Sequence, residues 1–130
     1  MERLRERLAT AQHALKTLAD ILLEPRSPIV RDASIQRFEY TFEAVWKTAQ
    51  LFLRDVESLD VGSPKSAIRA SFRVGLLTED QANKALAMAD DRNLTVHTYN
   101  EALAEQICSH LPDHVSVMSG WLSAMQGRLE

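Results

Sequence analysis

The chain has 130 residues, a mass of 14.7 kDa and a formal net charge of -3. This length fits one domain whose apolar core needs no metal or disulfide to complete it. The negative net charge excludes a nucleic-acid-binding surface that is basic throughout, but it is compatible with a local basic groove. Cys108 is the only cysteine, which excludes an intrachain disulfide and a cysteine-based zinc site and favours a reducing, cytoplasmic location.

The N-terminal half is predicted to form two amphipathic helices. Apolar residues alternate at spacings of three and four from about residue 1 to residue 23, where a proline-containing loop follows. The second and longest helix is expected to begin near Asp32 or Ser34 and to reach about Leu59. No apolar run approaches the length of a signal peptide or a membrane span, so we expect no membrane association.

Two helix starts are predicted from capping patterns in the middle of the chain. Ser63 is expected to cap a short helix whose first residue is Pro64, a position where the missing proline N–H costs nothing. Thr78 and Gln81 have the spacing of a capping box. They are expected to open an alanine-rich helix that reaches about Asp90.

The last third of the chain is predicted to be interrupted twice. The polar stretch 90–93 indicates a bend, after which a helix restarts somewhere within 94–100, with Thr98 and Glu101 as a second capping box. Pro112 predicts a further break before a final helix.

The predicted fold class is all-α, since no segment alternates with the period of two that strands require. We expect an up-and-down four-helix bundle with one or two short additional helices, forming a single domain over residues 1–130. Trp46, Phe52, Trp121 and Met125 indicate more apolar surface than one bundle needs.

The strongest candidate for chemistry is the segment 92–99, which reads Arg-Asn-Leu-Thr-Val-His-Thr-Tyr. Arg92 is a permanent cation that can hold a phosphate through two hydrogen bonds, and His97 can move a proton near neutral pH. Together at a helix start they suit RNA cleavage by attack of the ribose 2′-OH on the adjacent phosphate. On spacing alone a purely structural role stays open.

The same segment resembles the motif of the HEPN family: Arg92, four residues, His97, then Tyr99 two positions on. This version of the motif is the one found in HEPN toxins paired with a minimal nucleotidyltransferase antitoxin. The rest of the chain is similar to the HEPN proteins called nucleotidyltransferase substrate-binding proteins, over residues 31–47, Ser63-Pro64-Lys65, Ile68-Arg69, Asp91-Arg92-Asn93 and His97-Thr98-Tyr99-Asn100. Relatives often carry a tryptophan shortly before Asp-Arg-Asn, where this chain reads Gln81-Ala82-Asn83-Lys84.

The resemblance implies a homodimer in which Arg92 and His97 of both chains line a cleft at the interface. It also implies a nucleotidyltransferase partner that attaches AMP to Tyr99 and so silences the RNase, because the added phosphate would block the cleft by charge and bulk. A tyrosine that only packs against a neighbour is the alternative for Tyr99.

Four further polar residues are candidates to line the cleft: Asn93, Glu39, Glu43 and Arg37. Glu39 and Glu43 share a helix face and could hold a metal, but the Glu-x-x-His partners of carboxylate-bridged bundles are absent. We therefore expect no metal site and no cofactor. His110 and His114 flank Pro112 and are expected at the surface of a helix junction.

Two functions of different classes follow from the sequence. The first is a metal-independent endoribonuclease toxin that uses Arg92 and His97 and is silenced by AMPylation at Tyr99. The second is a non-catalytic subunit that presents substrate to its nucleotidyltransferase, and a helical dimer with a vestigial motif is a third. The chain lacks the Gly-Ser and paired-Asp pattern of a nucleotidyltransferase catalytic domain, so we do not expect it to transfer nucleotides itself.

Overall fold

Helices make up most of the computed structural model, which describes residues 1–130. The elements in chain order are α1 (Glu2–Ile21), α2 (Pro28–Glu57), α3 (Pro64–Arg73), α4 (Glu79–Leu94), a 3₁₀ turn (Thr95–His97) and α5 (Glu101–Arg128). No strand is present, and the predicted all-α class is confirmed. None of these helices combines the length and the apolar character that crossing a membrane requires.

The three long helices form the main body of the bundle. α1, α2 and α5 pack against one another, and the shorter α3 and α4 lie together beside them. α3 contacts α2 and α4, while α4 contacts α5. One continuous cluster of buried apolar side chains joins all five helices, so α3 and α4 share the core of the long helices.

Both predicted capping residues in the middle of the chain are confirmed. The side chain of Ser63 accepts a hydrogen bond from the N–H of Ser66 at the start of α3, and Thr78 accepts one from Gln81 at the start of α4. The Ser66 and Gln81 side chains in turn accept a hydrogen bond from the backbone N–H of Ser63 and Thr78, so each start is a complete capping box.

α2 begins earlier than the predicted start at Asp32 or Ser34. Ser27 is the N-cap, with its side chain accepting from the N–H of Val30, and Pro28 takes the first helical position. Proline is well suited to that position because its fixed φ is already helical and its missing N–H has no helical partner there.

The predicted bend at 90–93 is wrong, because α4 runs through this polar stretch to Leu94. The second predicted capping box is also wrong. Asn100 caps α5 by accepting from the N–H of Leu103, whereas Thr98 donates to the carbonyl of Thr95 in the preceding turn. Asparagine is as effective a cap as threonine, so the local pattern was ambiguous.

The predicted break at Pro112 is wrong as well, because α5 is continuous from Glu101 to Arg128. Proline inside a helix removes one backbone hydrogen bond and costs about 3 kcal/mol. Packing of α5 against α1, α2 and α4 offsets this cost, with Leu111 fully buried beside the proline. As a result His110 and His114 lie one turn apart on the same helix.

The apolar residues that suggested a second hydrophobic surface are inside the bundle. Phe52, Trp121 and Met125 are fully buried, and Trp46 is nearly so. The expectation that they leave an apolar seam for another chain is therefore wrong, because one protomer covers all four.

We predict that Ser71→Ala destabilises the fold by about 1–3 kcal/mol, the usual cost of leaving a buried donor unpaired. The indole N–H of Trp121 donates to the hydroxyl of Ser71 over 3.1 Å, and both side chains are fully buried. Urea unfolding followed by circular dichroism measures the change. In a Trp121→Phe background the same substitution should cost less, since no N–H is left; an equal cost in both backgrounds would contradict the assignment.

Candidate functional site

A pocket of ≈ 320 Å³ lies where α2, the start of α3 and the second half of α4 meet. It is lined by Phe42, Glu43, Ser63, Pro64, Lys65, Ala89, Arg92 and Asn93, and is called the cationic pocket below. Most of these residues are polar, and two of them are cations. The capping box at Ser63 and the helical continuation through 90–93 fix its two walls.

Arg92 is the residue of the pocket whose hydrogen bonding is incomplete. It lies in the last turn of α4, where a cation interacts favourably with the negative end of the helix dipole. Its Nε is buried and has no hydrogen-bond partner. An unpaired buried N–H is unfavourable, so an anion that offers an acceptor oxygen would stabilise this side chain.

The other charged groups of the pocket are partly neutralised. Lys65 Nζ pairs with Asp90 Oδ1 at 2.6 Å on the rim. Glu43 accepts a hydrogen bond from Trp46 Nε1 over 2.5 Å and lies 3.6 Å from Lys47 Nζ. The start of α3 forms part of the wall, but its capping box occupies the N–H groups of Ser63 and Ser66, and Pro64 has none. Arg92 and Lys65 are therefore the groups of the pocket that are suited to a phosphate.

His97 and Tyr99 lie outside the pocket, on the turn of residues 95–100 that joins α4 to α5, called the motif turn below. Both are exposed, Tyr99 by 84%, and their rings lie 6.0 Å apart and nearly perpendicular. Thr95 Oγ1 donates to the carbonyl of Arg92 over 2.8 Å, which ties the turn to α4. No hydrogen bond joins Arg92 to His97 within the protomer.

The four candidate cleft-lining residues divide into two pairs. Glu43 and Asn93 line the cationic pocket, next to the arginine of the motif. Glu39 and Arg37 do not. Arg37 instead donates a hydrogen bond from Nη1 to the carbonyl oxygen of Thr17 on α1 over 2.7 Å. Its side chain therefore connects α2 to α1.

A second polar cluster, which was not predicted from the sequence, lies immediately beside the motif. Asp91 Oδ2 is 2.8 Å from His110 Nδ1 and 2.6 Å from His114 Nε2. His114 is buried and its ring stacks on Phe38 at 5.2 Å between centroids, so the expectation of a surface residue is wrong for it. The four-residue spacing of the histidines could have predicted that they share a helix face. It did not, because Pro112 was expected to end the helix between them.

Burial affects the protonation of His114. Removal from water lowers the pKa of His114, and the hydrogen bond and charge of Asp91 oppose that shift only in part. His114 is therefore neutral at physiological pH, with one ring nitrogen free of a proton.

Fold and site together define an α-helical bundle protein in which a polar pocket contains the arginine of an Arg-x-x-x-x-His-x-Tyr motif. The sequence profile described as "Nucleotidyltransferase substrate binding protein like" matches residues 3–127. The chain belongs to this family, which confirms the resemblance drawn from the sequence. No curated protein sequence matches it.

Solved structures of similar fold include one of high sequence identity. A protein from Thermus thermophilus is 52% identical, with 88% of this chain and 98% of that chain covered and a TM-score of 0.85. A chain of the toxin–antitoxin MntA-HpeT is 15% identical over 98% and 99% of the two chains, with a TM-score of 0.81. HI0074 of Haemophilus influenzae, reported as the fold of a substrate-binding domain of a nucleotidyltransferase, is 22% identical over 96% and 98%, with a TM-score of 0.67. Because the last two structures are only 15% and 22% identical to this chain, they show that the fold is shared and no more.

Proposed function

We propose that the chain is the HEPN-type toxin of a toxin–antitoxin pair, and that it is a metal-independent endoribonuclease using Arg92 and His97. The observation that carries this proposal is the buried, unpartnered Nε of Arg92 in a cationic pocket next to the turn that bears an exposed histidine. The fold shared with the MntA-HpeT toxin–antitoxin supports the same class.

The proposed reaction needs one cation and one titratable group. His97 takes the proton of a ribose 2′-OH as the 2′-oxygen attacks the adjacent phosphorus and the bond to the 5′-oxygen breaks. Arg92 stabilises the charge that develops on the non-bridging oxygens. A protonated histidine returns a proton to the leaving 5′-oxygen, so the products are a 2′,3′-cyclic phosphate and a 5′-hydroxyl. Both roles are filled by side chains of the motif.

The substrate cleft is proposed to lie between two copies of the chain. Leu94, Val96 and Tyr99, at and beside the motif turn, are exposed by 40%, 66% and 84%. A second protomer seated here would cover these apolar groups and bring the motifs of both chains together. A stable interface of this kind buries at least about 1,000 Å² in total.

We predict a homodimer with twice the chain mass of 14.7 kDa in sedimentation velocity at micromolar concentration. Val96→Asp should shift the protein to the monomer, because a carboxylate would be buried at the interface. Leu23→Asp, at an 85% exposed position after α1, is the matched control and should stay dimeric. A parent protein that sediments as a monomer would refute the interface.

We predict that Arg92→Ala and His97→Ala each abolish RNA cleavage in buffer without added Mg²⁺. His97 is exposed, so its substitution should change stability by no more than about ±0.5 kcal/mol. Gel analysis of a defined RNA, with detection of the cyclic phosphate, measures activity, and His13→Ala on exposed α1 surface is the control. Full activity of His97→Ala, or cleavage only after Mg²⁺ is added, would eliminate this mechanism.

Regulation is proposed to act through Tyr99, to which a minimal nucleotidyltransferase partner attaches AMP from ATP. The phenol oxygen bonds to the α-phosphorus and pyrophosphate leaves. Tyr99 is accessible to such a partner and directly precedes the cap of α5, where the helix dipole favours the added negative charge. The phosphodiester could also pair with Arg92, which would withdraw that cation from RNA.

We predict that Tyr99→Phe cleaves RNA nearly as well as the parent but is not silenced by the nucleotidyltransferase. The substitution keeps the ring and removes the acceptor oxygen. Intact-mass analysis after incubation with the partner and ATP should show added AMP on the parent and none on Tyr99→Phe. Tyr40→Phe, at the other tyrosine of the chain and 44% exposed, should be modified like the parent. Equal mass gain by Tyr99→Phe would assign the modification elsewhere.

The second candidate is a non-catalytic substrate-binding subunit of a two-component nucleotidyltransferase. The family description and the H. influenzae protein favour it. In that function Arg92 and Lys65 would hold a phosphate of the substrate. Binding of nucleotide in the cationic pocket without any RNA cleavage would be the result that selects it.

A further inference from the structure

We infer that Asp91, His110 and His114 form a binding site for a divalent transition-metal ion of the zinc type. The three residues each offer one ligand atom, and these atoms all lie within 4.8 Å of one another. They come from two helices, with Asp91 on α4 and the histidines on α5. The proposed RNA cleavage does not use them.

The three ligand atoms already lie close together, and a small separation would admit an ion. The histidines are four residues apart in a continuous helix, which places their side chains next to each other on one face. Both rings approach the same carboxylate oxygen, at 2.8 and 2.6 Å. Ligands at roughly 2.0–2.1 Å from a tetrahedral zinc lie about 3.3 Å apart, so an ion requires the side chains to separate by about half an ångström.

The donor chemistry fits zinc rather than magnesium or calcium. Two imidazoles and one carboxylate form a set that zinc binds in proteins, whereas the alkaline-earth ions prefer oxygen alone. Histidine coordinates a metal through an unprotonated ring nitrogen, so zinc would displace the protons by which His110 Nδ1 and His114 Nε2 bond to Asp91. Stacking on Phe38 holds the ring of His114 in place.

Exposure differs among the three ligands in a way that allows an ion to enter. The side chains of His114 and Asp91 are 8% and 14% exposed, while that of His110 is 43% exposed. A zinc ion could reach the site past His110, and a water molecule could take the fourth coordination position on that side.

An ion here would hold the last turns of α4 against the middle of α5. Asp91 directly precedes Arg92, so the metal would position the backbone from which the arginine enters the cationic pocket. Such an ion would act on the structure of this segment and would take no part in the proposed reaction. The proposed cleavage chemistry remains one of arginine and histidine.

The test is zinc binding by the full-length protein after dialysis against EDTA and removal of the chelator. Isothermal titration with ZnCl₂ should give one ion per chain, and Co²⁺ should produce the visible absorption of a tetrahedral site. His110→Ala should weaken zinc binding by at least about a hundredfold, since removing even an outer-shell partner of a metal ligand costs 10–100-fold. His13→Ala should bind as the parent does.

His110 is half-exposed, so this variant should fold even if changes at the buried His114 do not. Asp91→Asn adds a second variant, because an amide is a poor zinc ligand. Lack of zinc uptake by the parent, or equal affinity in the parent and His110→Ala, would overturn the proposal. Because the readout is metal binding, its outcome is independent of whether the chain cleaves RNA.

Discussion

The hydrogen bonds of Asp91 to His110 and His114 of α5 fix the position of the helix end from which the motif begins. α4 shares the core through small side chains such as Ala85 and Ala89, and this contact is its polar connection to α5. It fixes the last turns of α4 at a set position along α5. The chain must then return to the start of α5 within the six residues of the motif turn, which leaves its histidine and tyrosine in solvent.

The motif therefore presents its groups in two environments. Arg92 is partly buried in a pocket, and its Nε is shielded from water without a hydrogen-bond partner. His97 and Tyr99 are free to meet a large partner, either RNA, a second protomer or a modifying enzyme. The proposed cleavage and the alternative of substrate binding would both use Arg92, and they differ in what the exposed His97 would do.

Helix positions were largely predictable from the sequence because apolar spacing and capping are local. Ser63 and Thr78 are examples, since each cap depends on residues only three positions away. The continuity of α5 was not predictable, because the local cost of Pro112 is outweighed by burial against three other helices. For the site, Arg92 and Glu43 were identified by residue type, but the contribution of α3 to the pocket depends on tertiary packing.

Pro112 also divides α5 into two hydrogen-bonding halves, because the carbonyl of Cys108 lacks the N–H donor it would have in an uninterrupted helix. The C-terminal half carries Trp121 and Met125 deep in the core. The N-terminal half is anchored in the same core by Ile107 and Leu111, which are fully buried. Amide hydrogen exchange in α5 should accordingly be fastest in the first exposed turn beside the motif turn, ahead of these buried residues.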